Sequence, residues 1–205
     1  VGGDVVDMGC DEWTPPLAGA LAVRIGAPWT NVAAGFAAPF EAAVQGRPSG
    51  LLWPWGDEAQ TTNLCLTQHA FATVGVYSVI VAASNSSDCG SATAAVQVVE
   101  APSYYVATNG GSIWPFTNWV TAATNIQEAI AAGTVPGRLV LVSNGVYAGG
   151  GTLVPGTVIT NRVALTNGVR VVGVNGPPVT ILKGSGPLGP GAIRCAYVAA
   201  DCLLS

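Results

Sequence analysis

Residues 18–100 show a repeated pattern: short apolar runs, some strictly alternating, each cut by a cluster of turn formers. The runs fall at 20–25, 40–45, 51–55, 75–83 and 92–99, and Gly, Pro, Ser and Asn separate them. Runs of this length with such punctuation predict strands, and their spacing predicts a β-sandwich. In "GVYSVIVAAS" (75–84), Val76, Ser78, Ile80 and Ala82 share one face and Tyr77, Val79, Val81 and Ala83 the other. Both faces are apolar, as in a central strand. "SNSSDCGS" (84–91) reads as a turn between the last two strands.

Beyond a short linker at 101–103 the pattern changes. "YYVATNGGS" (104–112) opens with a strand, and "TNIQEAIAAG" (124–133) is the one stretch with a helical period. Thr124 and Gln127 have capping-box spacing, Ile126, Ala129 and Ile130 form an apolar stripe, and Gly133 is a stop signal. Short strands follow at 138–147, 162–168, 169–174, 179–184 and 192–198. Two of these recur at one offset: Val169 to Ala192 and Val179 to Cys202 are each 23 residues apart. A period of about 20–50 residues predicts stacked repeats, here the coils of a parallel β-helix. The helix is then expected to cap the first coil and shield its backbone edge.

Composition supports this reading and removes several functions. The 205 residues include 27 Gly and 14 Pro, as many short strands and tight turns require. Charged residues make up only 9 %, with a net charge of −4 and seven scattered Lys and Arg, so there is no basic surface for nucleic acid. Mean hydropathy is +0.47, but every apolar run stops well short of the roughly 18 residues of a spanning helix. No signal peptide is visible, and the sequence reads as a mature or excised segment.

Five cysteines (Cys10, Cys65, Cys89, Cys195, Cys202) contain no CxxC pair, and His69 is the one histidine, so no zinc pattern exists. Disulfides in an oxidising compartment are the expectation, with Cys65–Cys89 and Cys195–Cys202 suggested by proximity along the chain and one cysteine left over. Asn85-Ser86-Ser87 is a sequon, and Asn85 is a glycosylation candidate if the source glycosylates asparagine.

"LLWPWGDE" (51–58) is the stretch most suggestive of chemistry. Trp53 and Trp55 could form a platform for a sugar, and Asp57 and Glu58 could hold Ca²⁺. Alternation on a strand sends both indoles to one face, however, and two carboxylates fall short of the roughly six to eight oxygens that Ca²⁺ takes. Core packing and a turn closed by Asp57 are therefore expected. His69 has no nucleophile or orienting carboxylate at motif spacing and is expected to be a hydrogen-bonded core residue. Asp4, Asp7, Asp11 and Glu12 form the densest acidic cluster. Residues 104–205 offer only Glu128 and Asp201 as acids, too few for a hydrolase or lyase site on that half. "TNGGS" and "AGGGT" lack the Lys and the strand-to-helix context of a phosphate loop, and no cofactor motif is present.

Three segments resemble known families. "WPWGDE" followed by "HAFATVGVYSVIVAASNSSDCGSATAAVQVV" resembles the PKD domain, an Ig-like sandwich. Trp53, Trp55, Gly56 and Asp57 fill its first motif, His69 and Phe71 its second, and Gly75 and Tyr77 its third. The resemblance implies structural roles for all eight. Glu58 stands where the family has Gly, which puts the turn type in question because Gly tolerates positive φ. Residues 104–205 resemble the start of a right-handed parallel β-helix of the pectin-lyase-like type found in bacterial surface proteins. "VVDMGCDEW" (5–13), containing Val5, Val6, Asp7 and Met8, resembles the strand with which such β-helices close.

The expected organisation is thus all-β: a closing segment at 1–17, a PKD-like Ig-like sandwich at 18–100, the linker, and β-helix coils at 104–205. The expected function is an extracellular, non-enzymatic structural protein. The segment at Val5–Met8 would meet the open coils of the next subunit, giving a head-to-tail filament. The alternative is a carbohydrate-binding or adhesive spacer of a larger secreted polysaccharide-acting protein.

Overall fold

The computed structural model describes residues 17–154, 156–187, 189 and 191–205. The segment Val5–Met8, the acidic cluster of Asp4, Asp7, Asp11 and Glu12, and Cys10 lie outside the described residues. The protein is all-β with one short helix. Eight strands come first: β1 (Ala22–Gly26), β2 (Asn31–Ala33), β3 (Ala37–Gln45), β4 (Gly50–Pro54), β5 (Gln60–Thr62), β6 (Leu66–Ala70), β7 (Gly75–Ser84) and β8 (Cys89–Val99). They form two sheets, ordered β1-β3-β6 and β2-β8-β7-β4-β5. Strands β2, β5 and β6 were not legible in the sequence, because "NVA", "QTT" and "LTQHA" are short and carry too little apolar alternation to stand out.

The chain divides into two compact units, one of residues 17–27, 40–67 and 78–94, the other of 28–39, 68–77 and 95–205. In the first, β1 and β3 pair antiparallel from Ala22 opposite Gln45 to Gly26 opposite Glu41. Strand β4 pairs antiparallel with β5 and β7. Phe40, Trp53, Trp55, Val79 and Val81 fill the space between the sheets and are completely or almost completely buried. The turn after β7 grips the segment that leads into β1. Ser86 N–H donates to Leu17 O at 2.9 Å, Gly19 N–H to Ser87 Oγ at 2.8 Å, and Leu21 N–H to Asp88 Oδ2 at 2.7 Å.

The second unit adds β9 (Ser103–Val106), α1 (Ile126–Ala131), β10 (Leu139–Val142), β11 (Gly145–Tyr147), β12 (Thr152–Leu153), β13 (Thr160–Leu165), β14 (Arg170–Gly173), β15 (Thr180–Leu182), β16 (Ile193–Val198) and β17 (Leu203–Leu204). These strands stack as a β-solenoid of about three turns. One wall is the parallel sheet β17-β14-β10-β9; the others are β11-β15 and β12-β13-β16. In-register pairing lines up Tyr104, Val140, Val171 and Leu204 as one ladder, and Val106, Val142 and Gly173 as another. Val106, Val140, Val142 and Val171 of these ladders, with Val163, Leu165 and the helix stripe Ile126, Ala129 and Ile130, make a single apolar core, and Tyr104 packs against it.

The 23-residue period is not the coil length. Arg170 stacks on Leu203 and Thr160 on Ile193, both 33 residues apart, while Leu139 stacks on Arg170 at 31. Each coil has several strands, so the offset of 23 linked β14 to β16 and β15 to β17, which lie in different walls.

The helix start also differs from expectation. Asn125, not Thr124, is the N-cap, accepting from Gln127 N–H at 2.9 Å. Gln127 does not close a box; its Oε1 accepts from Ala164 N–H of β13 at 2.8 Å. Arg138, 3 % exposed, donates through Nε and Nη2 to Ile130 O in the last turn of α1, and through Nη1 to Asn167 O. Burial lowers its pKa from the ordinary guanidinium value. Ile130 O is one of the carbonyls that a helix end leaves without partners.

Within the second unit, Phe36 lies against two stacked coil turns. Gly137 and Gly168 both have positive φ, 88° and 64°, and Gly137 N–H donates to Gly168 O at 2.8 Å. A Cβ on Gly168 would lie 2.7 Å from the Phe36 ring, so a side chain at either turn would evict it. Ala33 N–H donates to Pro136 O alongside, at 2.8 Å.

Candidate functional site

The two ends of the solenoid differ in how their backbone edges are satisfied. Strand β9 is an edge of its sheet, yet the segment 113–123 covers it. Tyr105 N–H donates to Phe116 O at 2.8 Å, Ala123 N–H to Tyr105 O at 2.9 Å, and Ala107 N–H to Ala123 O at 2.9 Å. Edge shielding, expected of the helix alone, is shared: the segment 113–123 covers β9, and Gln127 of α1 covers Ala164 of β13. Gly110 permits this fold-back, since a Cβ there would stand 2.2 Å from Ala122 O.

At the other end, β17 pairs on one side only among the described residues, as does β16 beyond Ile193, whose N–H and C=O exchange bonds with Ser185. Residues that are sealed one coil earlier are open here. Val140 and Val171 are 0 % and 1 % exposed, but Leu204 on the same ladder is 42 % exposed. Leu165 is fully buried while Val198, its register partner in β16, is 44 % exposed. Beside Leu204 opens a cavity of about 270 Å³ lined by Ile126, Val142, Val163, Val171 and Leu182. Its wall includes Thr180 Oγ1, the one enclosed side-chain polar atom without a hydrogen-bond partner among the described residues.

The two indoles of "LLWPWGDE" are buried and present no open face for a sugar. Trp53 and Trp55 are fully buried, stacked at 5.4 Å with an 11° interplanar angle, with Phe40 tilted against both. Their indole N–H groups donate to Leu64 O and Thr61 Oγ1. Asp57 Oδ1 accepts from Ala59 N–H at 3.3 Å, a local turn contact. Gly56 has φ 86°, and a Cβ there would lie 3.1 Å from Ser78 O. Glu58 keeps the glycine conformation of its position, with φ 70°. An L-residue in that region costs roughly 1–2 kcal/mol, and glycine returns roughly 0.5–1 kcal/mol of that as backbone entropy. Glu58→Gly is therefore expected to raise unfolding free energy in urea by about 0.5–1 kcal/mol; a loss of stability would show that the Glu58 side chain makes a contact outweighing the strain.

His69 is half-buried in β6, edge-on to Phe71 with centroids 4.7 Å apart. Phe71 stacks on Tyr77 at 4.5 Å, and Tyr77 Oη donates to Thr73 O at 2.9 Å. The hydroxyl thus pins the turn before β7, as in the tyrosine corner of Ig-like sandwiches. Gly75 opens that strand. Tyr147 repeats the device in the solenoid, donating to Ser143 O at 3.0 Å. Burial pushes the Tyr147 hydroxyl above its ordinary value, against a smaller opposite effect of the Ser143 hydrogen bond. A raised folded pKa contributes stability that is complete below the unfolded value of about 10 and is lost as pH rises through the folded value. The melting temperature is accordingly expected to hold steady below that pH and fall above it, with a shallower fall in Tyr147→Phe.

Cys65, Cys89, Cys195 and Cys202 are all free, so neither expected disulfide forms. Sequence proximity misled because each pair is split between sheets. Cys65 precedes β6 and Cys89 begins β8; Cys195 lies in β16 and Cys202 precedes β17 of another wall. Asn85 is engaged: Nδ2 donates to Gly19 O at 2.8 Å and Arg47 O at 3.3 Å, and Oδ1 accepts from Ser87 and Asp88 N–H. A glycan on Nδ2 would displace one of those donations. Glu128 lies exposed on α1 and Asp201 in the turn after β16. No group of His, Cys, Asp and Glu among the described residues is arranged to hold a metal, and no helix among them is long and apolar enough to cross a membrane.

No protein-family model matches the sequence, and no curated protein matches it. Among solved structures it is similar to a carbohydrate-binding module of the β-sandwich superfamily, at 17 % identity over 42 % of this chain and 37 % of that one, TM-score 0.39. It is also similar to the PKD domain of the human VPS10 domain-containing receptor SorCS2, at 20 % identity over 49 % of this chain and 89 % of that one, TM-score 0.36. A third is the fibronectin(III)-like modules of CbhA from Clostridium thermocellum, at 19 % identity over 41 % and 56 %, TM-score 0.33. The match spans little more than a third of the first of these chains.

Proposed function

We propose that the protein is an extracellular, non-enzymatic structural module whose solenoid associates with a second copy by parallel strand addition at β16 and β17. The observation that carries this is the ladder Val140–Val171–Leu204, sealed in two coils and open in the third. Leu203, Leu204, Tyr197 and Val198, each 40–44 % exposed, offer the added coil an apolar contact, and the free strand sides offer it backbone groups. A contact made through a different face of the second copy is head-to-tail and extends to a filament unless its rotation closes a ring, whereas open end against open end would stop at a dimer.

Sedimentation velocity over a concentration series tests this. The expected result is concentration-dependent association that Tyr197→Lys and Val198→Lys abolish without changing the circular dichroism spectrum. A monomer at every concentration, or association indifferent to both variants, overturns it.

A second reading, glycan adhesion, is favoured by Trp114, 71 % exposed, and by Trp119, which packs edge-on against Tyr105 at 4.8 Å. Glycan-array binding lost in Trp114→Ala would support it, and an array without signal would dismiss it.

A further inference from the structure

The second unit contains a polar cavity of about 250 Å³, distinct from the open mouth beside Leu204, between the N-cap of α1 and strands β11 and β13. Its lining includes Thr108, Thr124, Asn125, Tyr147, Gly149 and Arg162, and no carboxylate. Arg162 is 6 % exposed. Its Nε donates to Lys183 O at 2.9 Å and its Nη1 to Gly150 O, but Nη2 bonds no described residue. Nor is Nη2 sealed in protein, since the one enclosed and unpartnered side-chain polar atom among the described residues is Thr180 Oγ1. Arg162 lines the cavity and keeps N–H groups that no described residue accepts.

A guanidinium taken out of bulk water is costly without an acceptor for its remaining donors, and a charge-assisted hydrogen bond is the strong way to supply one. The other polar groups suit the same partner. Asn125 uses Oδ1 to cap the helix, which leaves Nδ2 to donate, and the hydroxyls of Thr108 and Thr124 can donate or accept. The volume is below the roughly 300–1,000 Å³ of sites for drug-sized ligands. We propose that this cavity binds a small hydroxycarboxylate, its carboxylate on Arg162 Nη2 and Asn125 Nδ2 and its hydroxyl on the threonines.

The test is a calorimetric titration with lactate, lactamide, acetate and sulfate as probes. Removing the charge should cost one charge-assisted hydrogen bond, so lactate is expected to bind about tenfold more tightly than lactamide. Acetate should fall between them. Two variants leave Arg162 in place: Val146→Trp, at an exposed position, fills the cavity, and Ala148→Asp supplies an internal carboxylate. Each should weaken lactate by about tenfold or more while the melting curve keeps its cooperativity. Thr108→Val, also at an exposed position, should weaken lactate by about threefold and leave acetate unchanged. Equal binding of lactate and lactamide, lactate binding unaffected by both cavity variants, or no binding at all overturns the proposal. Sulfate binding as tight as lactate would assign the site to inorganic anions and overturn the hydroxycarboxylate reading. Self-association is read separately, by sedimentation, so either proposal can fail without the other.

Discussion

Trp53→Ala is expected to lower the unfolding free energy by about 4 kcal/mol, the upper range for removing a large aromatic from a packed core. Trp53 is fully buried, stacked on Trp55 with Phe40 tilted against both, and its indole N–H satisfies Leu64 O at 2.9 Å. The truncation opens a cavity beside two other aromatics and leaves that carbonyl without its donor. A loss of this size is a large part of the roughly 5–15 kcal/mol that holds a domain folded. Urea unfolding followed by circular dichroism measures it, with Trp114→Ala as the control. Trp114 is 71 % exposed, and its loss should change stability by less than about 0.5 kcal/mol. A change below about 1 kcal/mol for Trp53→Ala would contradict its place in the core and reopen the sugar-platform reading.

Gly110→Ala is expected to cost about 3 kcal/mol, although it adds one methyl group near the protein surface. That methyl carbon would stand 2.2 Å from Ala122 O, a backbone atom that cannot rotate away. Gly110 does not have positive φ, so the cost is one of close approach and overpacking, typically about 1–3 kcal/mol. To make room, the segment 113–123 must shift, which strains the bonds from Gly111 N–H to Val120 O and Ser112 N–H to Ala122 O. The same shift uncovers β9, and a bare edge is a template for aggregation. Lower stability by urea unfolding together with increased light scattering at fixed concentration is the expected pair of results. Unchanged scattering would show that 113–123 does not protect that edge.

Most of the fold was legible in the sequence, because alternation in "GVYSVIVAAS" and the stripe Ile126, Ala129, Ile130 are local signals. The solenoid's register was not. It depends on which strands share a wall, and a count of residues between strands cannot see walls. Glu58 shows the converse: the family pattern marked its position as glycine-like, and the backbone takes that conformation at φ 70° despite the side chain. The cysteine pairs failed for the same reason as the period, since proximity along the chain says little once successive strands go to different sheets. The polar devices inside the solenoid, Arg138 on the end of α1 and Arg162 in its cavity, were also missed. Their signal was present: in a chain only 9 % charged, an arginine within "GRLVLV" or "NRVALT" has to be explained by a partner.

On the proposed function, copies of this protein meet at the open coil edge. Amide hydrogen exchange of β9, β16 and β17, measured at low and high protein concentration, tests it most directly. β9 is predicted to be protected at both, and β16 and β17 to gain protection only at high concentration, as their free sides become paired. Exchange in β16 and β17 that stays equally fast at both concentrations would contradict the account.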